Sequence, residues 1–279
     1  MRDIILGIIQ GLTEFLPVSS SGHLAIVQQF YQGMSETDIL LDILLHVGTL
    51  FVVFMYYRKD LVTLCQAALS YGPGGQSSAP SRHLDNENFQ QTQDRRMILL
   101  IIIGSVPTAI IGVLLKPLIE ASFSSLTMVG TALIITGTVL YITDKIKRTA
   151  PSRETLSYTD AFIIGIVQGL AIFPGISRSG STISTGILLG IERKLAAKFS
   201  FLLSIPAILG AVVLEGKDLA DLAQTPQLLP YILATIVAFV TGYFAIAALI
   251  RVVVNKQLSW FSWYCWALGG VALVVGLFA

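Results

Sequence analysis

The sequence predicts an all-α polytopic membrane protein, built as an inverted-topology repeat with two re-entrant helical hairpins and six full transmembrane helices. Three observations lead to this fold class: an apolar composition, a set of long uncharged segments and an internal duplication. Of the 279 residues, 54% are hydrophobic and 13% are charged, and the mean hydropathy is +0.75. Soluble domains of this length are far more polar, so we expect residues 1–279 to form a single membrane domain.

Six apolar segments have about the length of a transmembrane helix. Such a helix needs about 20 residues to cross about 30 Å of hydrocarbon. Five of the segments carry no charge, and the first contains Asp42 and His46. In chain order the predicted spans are 39–57, 97–115, 126–143, 199–214, 231–250 and 260–279.

The internal duplication relates two polar motifs. Shifted by 158 residues, GIIQGLTEFLPVSSSGHL (7–24) aligns without gaps with GIVQGLAIFPGISRSGST (165–182). A repeat of this kind indicates two related halves, which we place at 1–148 and 158–279.

Each motif interrupts an apolar helix before that helix could cross a membrane. Pro17 in the first copy and Pro174-Gly175 in the second end the helical pattern, because proline lacks the N–H that would continue it. Non-helical backbone at membrane depth is tolerated where it is buried in protein or lines a wet cavity. The segments 3–32 and 159–191 are therefore predicted to be re-entrant hairpins whose breaks meet near the middle of the membrane.

The distribution of positive charge predicts the orientation. If each hairpin enters and leaves the membrane by the same face, four loops lie together on one side of the membrane. These loops, which hold fourteen of the eighteen Lys and Arg residues, are 58–96, 144–158, 191–198 and 251–259. The positive-inside rule makes that side cytoplasmic, so the two halves enter the membrane from opposite faces. Within the first of these loops, 71–94 is predicted to be a polar cytoplasmic segment without regular structure. The net charge of +1 gives no indication of nucleic-acid binding.

Polar and ionisable side chains gather around the two breaks, where they are candidates for function because such groups are costly inside a membrane. The candidates are Gln10, Glu14, Ser19, Ser20, Ser21 and His23 from the first copy, and Ser177, Arg178, Ser179, Ser181 and Thr182 from the second. An arginine surrounded by hydroxyls and helix N-termini suits a phosphate group.

Structural roles compete with this interpretation for several of the same residues. Small residues beside a helix break often serve packing and turns, and we assign Ser21, Gly22, Gly180 and Ser181 mostly to that role. A Glu14–Arg178 pair could also be a structural clamp between the hairpins. Asp42 and His46, one turn apart, are expected to make an interhelical contact.

Together the motifs resemble the bacitracin-resistance family of undecaprenyl pyrophosphate phosphatases. That family is described by an (E/Q)xxxE motif and a PGxSRSxxT motif, and here they read Gln10-x-x-x-Glu14, followed by LPVSSSGH at 16–23, and PGISRSGST at 174–182. The resemblance covers essentially the whole chain. It implies an integral membrane phosphatase of the bacterial plasma membrane, with an outward-facing site, that recycles the lipid carrier for peptidoglycan synthesis and confers resistance to bacitracin.

The resemblance also implies roles for individual residues. Glu14, Ser20, His23 and Arg178 would be catalytic, and the phosphate would be bound by Ser19, Ser177, Ser179 and Thr182. A divalent cation, Mg²⁺ or Ca²⁺, would be held by Glu14 and Gln10, since a neutral amide can ligate a metal although it cannot act as a base. The implied partners are the isoprenoid pyrophosphate, membrane lipid and a second copy of the chain in a homodimer.

The mechanistic hypothesis is that Ser20 attacks the terminal phosphorus while His23 removes its proton and Glu14 orients His23 or the metal. Attack by His23 itself or by a metal-bound water is the competing pathway. The alternative function is a flippase that carries a polyprenyl phosphate across the membrane, because inverted repeats with broken helices are a transporter architecture.

Overall fold

The computed structural model describes residues 1–30, 37–69, 82–146, 151–214 and 227–278. In these ranges the regular elements are α-helices, and a single β-bridge joins Arg153 to Ile191. The helices in chain order are α1 (Arg2–Phe15), α2 (Ser20–Phe30), α3 (Thr37–Tyr56), α4 (Arg58–Leu69), α5 (Arg82–Leu114), α6 (Lys116–Phe123), α7 (Leu126–Lys145), α8 (Tyr158–Leu170), α9 (Arg178–Leu188), α10 (Arg193–Leu214), α11 (Leu228–Val254) and α12 (Ser259–Phe278).

Five helices in the described part of the chain are long and apolar enough to cross a membrane by themselves. They are Gln91–Leu114 within α5, and the whole of α7, α10, α11 and α12. The pair α3 and α4 adds a sixth span if it is counted as one, although its two helices are bent by 79° at Tyr57. The predicted all-α polytopic class is therefore confirmed, and the chain is a multi-pass membrane protein.

The two motif segments form pairs of short helices, as the breaks in the sequence indicate. Helix α1 has 14 residues and α8 has 13, which at about 1.5 Å per residue makes each about 20 Å long, well short of the hydrocarbon thickness. Helix α8 begins with a capping box in which Ser157 and Asp160 bond each other's backbone N–H groups. The re-entrant insertion of both hairpins and the inverted orientation of the halves stay predictions.

Helix packing pairs elements of the first half with elements of the second. The first helix of each hairpin packs on a long helix of the other half: α1 lies on α11, and α8 lies on α5. The last helices of the two halves, α7 and α12, pack on each other. The two halves thus interdigitate into one body, in the reciprocal manner that two related halves would produce.

Repeated glycines permit this close packing. A Cβ on Gly7 would overlap the carbonyl of Ala234 on α11, and a Cβ on Gly165, its equivalent after the 158-residue shift, would overlap the carbonyl of Gly104 on α5. Small residues let helix backbones approach closely in membranes, where apolar burial alone does not drive association. Part of the internal repeat therefore encodes helix contacts and not chemistry.

One predicted segment differs from its expectation. Of the polar loop expected at 71–94, residues 71–81 lie outside the described residues, whereas 82–94 form the first turns of α5. The polar residues there offered no apolar periodicity, so the expectation of irregular structure missed a helix that extends beyond the apolar span.

We predict that Gly165→Ala destabilises the protein by about 1–3 kcal/mol, because the added methyl group must push α8 away from Gly104. The measurement is thermal unfolding of the purified protein in detergent. Gly210→Ala is the matched control, since a Cβ there meets nothing within 4 Å. Equal melting temperatures for the two variants would contradict the close α5–α8 contact.

Candidate active site

Each helix break contains one residue with left-handed backbone, although the two residues are not at equivalent positions of the repeat. Helix α1 ends at Phe15, Leu16 is extended, and Ser19 has a positive φ of 67° immediately before α2 begins. In the second break Gly175 has a φ of 95° before α9 begins at Arg178. Left-handed backbone at these corners turns the chain sharply, so each new helix starts close to the end of the preceding one.

The breaks contact each other directly. The backbone N–H of Gly175 donates to Ser19 Oγ at 3.1 Å. A Cβ on Gly22 would meet the Cα of Gly175, and a Cβ on Gly180 would meet Pro17. In the repeat Gly22 is equivalent to Gly180, and Pro17 is equivalent to Gly175. Each hairpin therefore contacts the other through the same two positions. The prediction that both motifs converge agrees with this geometry.

Two pairs of serines that recur in both copies of the repeat make local hydrogen bonds, in the same way in each half. Ser19 Oγ accepts from Gly22 N at 3.2 Å, and Ser177 Oγ accepts from Gly180 N at 3.1 Å. Each of these serines also lies 3.3 Å, Oγ to Oγ, from the serine two positions on, Ser21 or Ser179. These side chains cap the starts of α2 and α9.

The remaining hydroxyl predicted to bind phosphate is also engaged within the protein. Thr182 Oγ1 donates to the carbonyl of Arg178 at 2.7 Å and lies 2.5 Å from Ser200 Oγ. Phosphate binding by Ser19, Ser177, Ser179 and Thr182 stays a prediction, and in this structure their hydroxyls hold the breaks in shape.

Glu14 is the centre of the polar cluster. One carboxylate oxygen, Oε1, accepts from Arg178 Nη2 at 2.5 Å. The other, Oε2, accepts from Ser20 Oγ at 2.5 Å and from Gln10 Nε2 at 3.1 Å. We call Gln10, Glu14, Ser20 and Arg178 the Glu14 cluster.

The cluster is shielded from solvent. Glu14 is 8% exposed and Gln10 is fully buried, while the Arg178 side chain is 19% exposed. Burial of an ionised carboxylate is tolerated where charge and hydrogen bonds compensate it, as they do here. The expected pairing of Glu14 with Arg178 is present, and it joins residues 164 positions apart.

Arg178 keeps binding capacity beyond this pair. Only Nη2 bonds Glu14, and within the described residues no partner occupies Nε or Nη1. A guanidinium presents five N–H donors in a planar fork that fits the oxygens of a phosphate. The side chain can therefore hold the carboxylate and an anionic ligand at once.

His23 lies at the first turn of α2 but does not bond Ser20. Its Nδ1 is 2.7 Å from the carbonyl of Ser19, and its Nε2 is 2.6 Å from the hydroxyl of Tyr264 on α12. The expected proton transfer from Ser20 to His23 is thus not what this geometry offers, because Ser20 donates to Glu14 and both ring nitrogens of His23 have other partners. The spacing in the sequence allows a Ser20–His23 contact, but in this structure the two side chains make other contacts, and the role of His23 as the base stays a prediction.

Three further residues belong to the site although they were not predicted there. His46 Nε2 lies 4.0 Å from Glu14 Oε2, so the side chain assigned to an interhelical contact reaches the cluster. Thr136 of α7 donates to the carbonyl of Gly175 at 2.9 Å and accepts from Ser177 N at 3.1 Å, and so fixes the second break. An ionisable residue in an apolar helix was the signal for His46; Thr136 and Tyr264 carry no such signal.

The oxygen atoms of the cluster fit a hard divalent cation. Gln10 Oε1 is buried and has no hydrogen-bond partner. The nitrogen of the same amide donates to Glu14 Oε2, so Gln10 Oε1 lies near the Glu14 carboxylate. In the part of the chain that the structure describes, no three His, Cys, Asp or Glu residues are grouped to enclose a metal. Mg²⁺ commonly uses one or two protein oxygens together with water and substrate phosphates, so this limited donor set suits it.

Comparison with known proteins gives consistent matches over the full chain. The sequence profile of the family described as "Bacitracin resistance protein BacA" matches residues 3–271. A protein of Desulfosudis oleivorans named undecaprenyl-diphosphatase is 45% identical, and the match covers 99% of this chain and 98% of that protein. A protein of the same name from Alkaliphilus metalliredigens is 41% identical, and the match covers 99% of this chain and 98% of that protein. Another from Carboxydothermus hydrogenoformans is also 41% identical, and the match covers 98% of this chain and 95% of that protein.

We predict that Arg178→Met destabilises the protein by about 3–5 kcal/mol, because it leaves the buried Glu14 carboxylate without its counter-ion. The double variant Glu14→Gln/Arg178→Met should recover much of that loss, since no unpaired charge remains. Unfolding by denaturant in detergent, followed by tryptophan fluorescence, measures both effects.

The control is Lys116→Met, which removes one partner of the exposed Lys116–Glu120 pair on α6. An exposed pair of this kind contributes less than about 1 kcal/mol. If Arg178→Met were no more harmful than this control, the ion pair at the breaks would not be buried as described.

Proposed function

The chain belongs to the bacitracin resistance protein BacA family, and we propose that it hydrolyses undecaprenyl diphosphate to undecaprenyl phosphate and inorganic phosphate. The family suggested by the sequence is confirmed, and so is the enzyme class, because the matched relatives are undecaprenyl-diphosphatases over nearly their whole length. The lipid substrate follows from the same relatives.

The Glu14 cluster is the observation that carries the proposal at the level of residues. Cleavage of a diphosphate requires neutralisation of its negative charge and a nucleophile held in line with the leaving oxygen. Arg178 supplies donors for phosphate oxygens, and α2 and α9 start at the same place, with Ser20 and Arg178 as their first residues. Helix N-termini favour anions, so charge and nucleophile coincide at the junction of the breaks.

Ser20 is the nucleophile in this proposal, and Glu14 accepts its proton. The Ser20 hydroxyl already donates to Glu14 Oε2 at 2.5 Å, which is the geometry required of a nucleophile and its base. Attack on the terminal phosphorus forms a Ser20 Oγ–P bond and breaks the anhydride bond, so that the lipid monophosphate leaves. Water then releases phosphate from Ser20. Direct attack by His23 or by water remains the competing pathway.

Substrate binding also changes the state of Glu14. Diphosphate oxygens that bind the guanidinium of Arg178 compete with Glu14 Oε1 for its positive charge and weaken the Glu14–Arg178 ion pair. The Glu14 carboxylate is then available to accept the proton of Ser20. This account replaces His23 with Glu14 as the base for Ser20.

A divalent cation is part of the proposal, with Mg²⁺ or Ca²⁺ held by Glu14 and by Gln10 Oε1. When bound, such an ion supplies positive charge to the diphosphate. The buried amide oxygen without a partner supports this assignment, because an unsatisfied polar atom in the interior is costly unless a ligand compensates it.

The finer localisation and partners also belong to the proposal. We place the chain in the bacterial plasma membrane with the basic loops in the cytoplasm and the site accessible from outside, where it recycles the carrier lipid for cell-wall synthesis and confers bacitracin resistance. A homodimer stays a prediction. The alternative function is a polyprenyl-phosphate flippase, which the two broken helices that meet at the centre favour. Phosphate release in detergent solution distinguishes the two functions, because a flippase has no second compartment there.

We predict that the purified wild type releases phosphate from undecaprenyl diphosphate in detergent and that Ser20→Ala lowers kcat at least about a thousandfold. Ser21→Ala is the matched control and should stay within about threefold of the wild type, because the Ser21 hydroxyl contacts Ser19 and not Glu14. Phosphate trapped on His23, or on no residue, would contradict Ser20 as the nucleophile. A folded wild type that binds the lipid but releases no phosphate would favour the flippase.

We also predict that EDTA abolishes phosphate release and that Mg²⁺ or Ca²⁺ restores it. Gln10→Ala should raise the cation concentration that gives half-maximal activity about tenfold or more, because it removes one of the two protein ligands. Phosphate release that is indifferent to EDTA, with a metal-free preparation verified by elemental analysis, would contradict the cation.

A further inference from the structure

A tyrosine on α12 makes an unusual contact with His23. The hydroxyl of Tyr264 is 2.6 Å from His23 Nε2, and the planes of the two rings are parallel within 2°, with their centroids 5.6 Å apart. The residues are separated by 241 positions in the chain. The contact therefore joins the last helix of the protein to the first turn of α2, beside the Glu14 cluster.

The hydrogen bonds determine which nitrogen of His23 carries the proton in the neutral ring. The carbonyl of Ser19 can only accept, so the Nδ1 that lies 2.7 Å from it must be the donor. The lone pair of the neutral imidazole is then on Nε2, where the Tyr264 hydroxyl donates to it. If the ring becomes protonated, the same hydroxyl can accept from Nε2–H, because a phenol is both donor and acceptor.

A neighbouring contact places α12 firmly against the first break. Cys265 is fully buried, and its Sγ lies 3.7 Å from the carbonyl of Pro17. Tyr264, by contrast, is 47% exposed, so burial of its ring alone does not account for its orientation. Two consecutive residues of α12 thus contact the first hairpin, one at the corner of the break and the other at His23.

We propose that Tyr264 is a positioning residue for the phosphatase reaction, which keeps the imidazole of His23 in one orientation beside the phosphate site. The inference rests on the proposed function together with the prediction, made from the family motif, that His23 is catalytic, whereas the action of Tyr264 on His23 rests on the geometry of the pair. The hydroxyl of Tyr264 sets the direction of Nε2 and with it the orientation of the imidazole.

Kinetics in a double-variant cycle test this inference. Tyr264→Phe keeps the ring and removes the hydroxyl, and we expect kcat to fall about tenfold with KM within about twofold, the change that one hydrogen bond of ordinary strength produces. In a His23→Ala background the same substitution should change the residual rate by less than about twofold, because Tyr264 acts through His23. Tyr243→Phe, a half-exposed tyrosine on α11, is the matched control and should leave both parameters unchanged.

Equal losses from Tyr264→Phe in both backgrounds would overturn the proposal, since the tyrosine would then act on the structure in general. Solid-state NMR of ¹⁵N-histidine-labelled protein supplies a readout that does not require activity. The Nδ1–H dipolar coupling of His23 should have its rigid value in the wild type and be reduced by motion of the ring in Tyr264→Phe, and equal couplings in the two proteins would overturn the proposal. If the wild type released no phosphate, the proposed function would fail, and the NMR comparison would still decide the role of Tyr264.

Discussion

The ion pair between Glu14 and Arg178 is the interaction on which the arrangement of the site depends. Its partners are 164 positions apart, and each comes from a different half of the chain, so the pair forms only when both helix breaks reach the same point. Taking a carboxylate and a guanidinium out of water costs several kcal/mol per ion, which is offset only when the geometry is good and the remaining lone pairs are satisfied. Ser20 and Gln10 complete that condition at the second carboxylate oxygen.

Residues that are the same in both copies of the repeat build the scaffold, and residues that differ carry the charge. Gly7 and Gly165 serve helix packing, and Ser19 and Ser177 cap the two helices that follow the breaks. In contrast, the positions equivalent to Glu14, Ser20 and His23 hold Ile172, Arg178 and Ser181. A symmetric framework therefore supports an asymmetric cluster: in the proposed reaction one hairpin would supply the nucleophile and its base, and the other the positive charge for the anionic substrate.

Sequence reasoning reached the elements whose signals are local. Apolar length predicted the spans, proline predicted the breaks, and the cost of charge in a membrane singled out Glu14, His23 and Arg178. Side-chain direction could not be predicted: His23 lies three positions after Ser20, a spacing that permits a contact, yet Ser20 donates to Glu14 and His23 contacts Tyr264. Tyr264 lies in an aromatic segment, SWFSWYCW, where nothing distinguishes it from its neighbours. The helix over 82–94 was missed because its polar residues lack the periodicity of a buried face.

The contact between the two breaks limits how the protein can move. Gly22 lies against Gly175, Gly180 lies against Pro17, and Gly175 N–H donates to Ser19 Oγ across the junction. A rocking motion that exposed the site first to one side of the membrane and then to the other would have to slide these backbones past each other and break the Glu14–Arg178 pair in an apolar interior. A stationary site would require no such motion, because the lipid headgroup would enter and leave while the contacts between the two breaks stay in place.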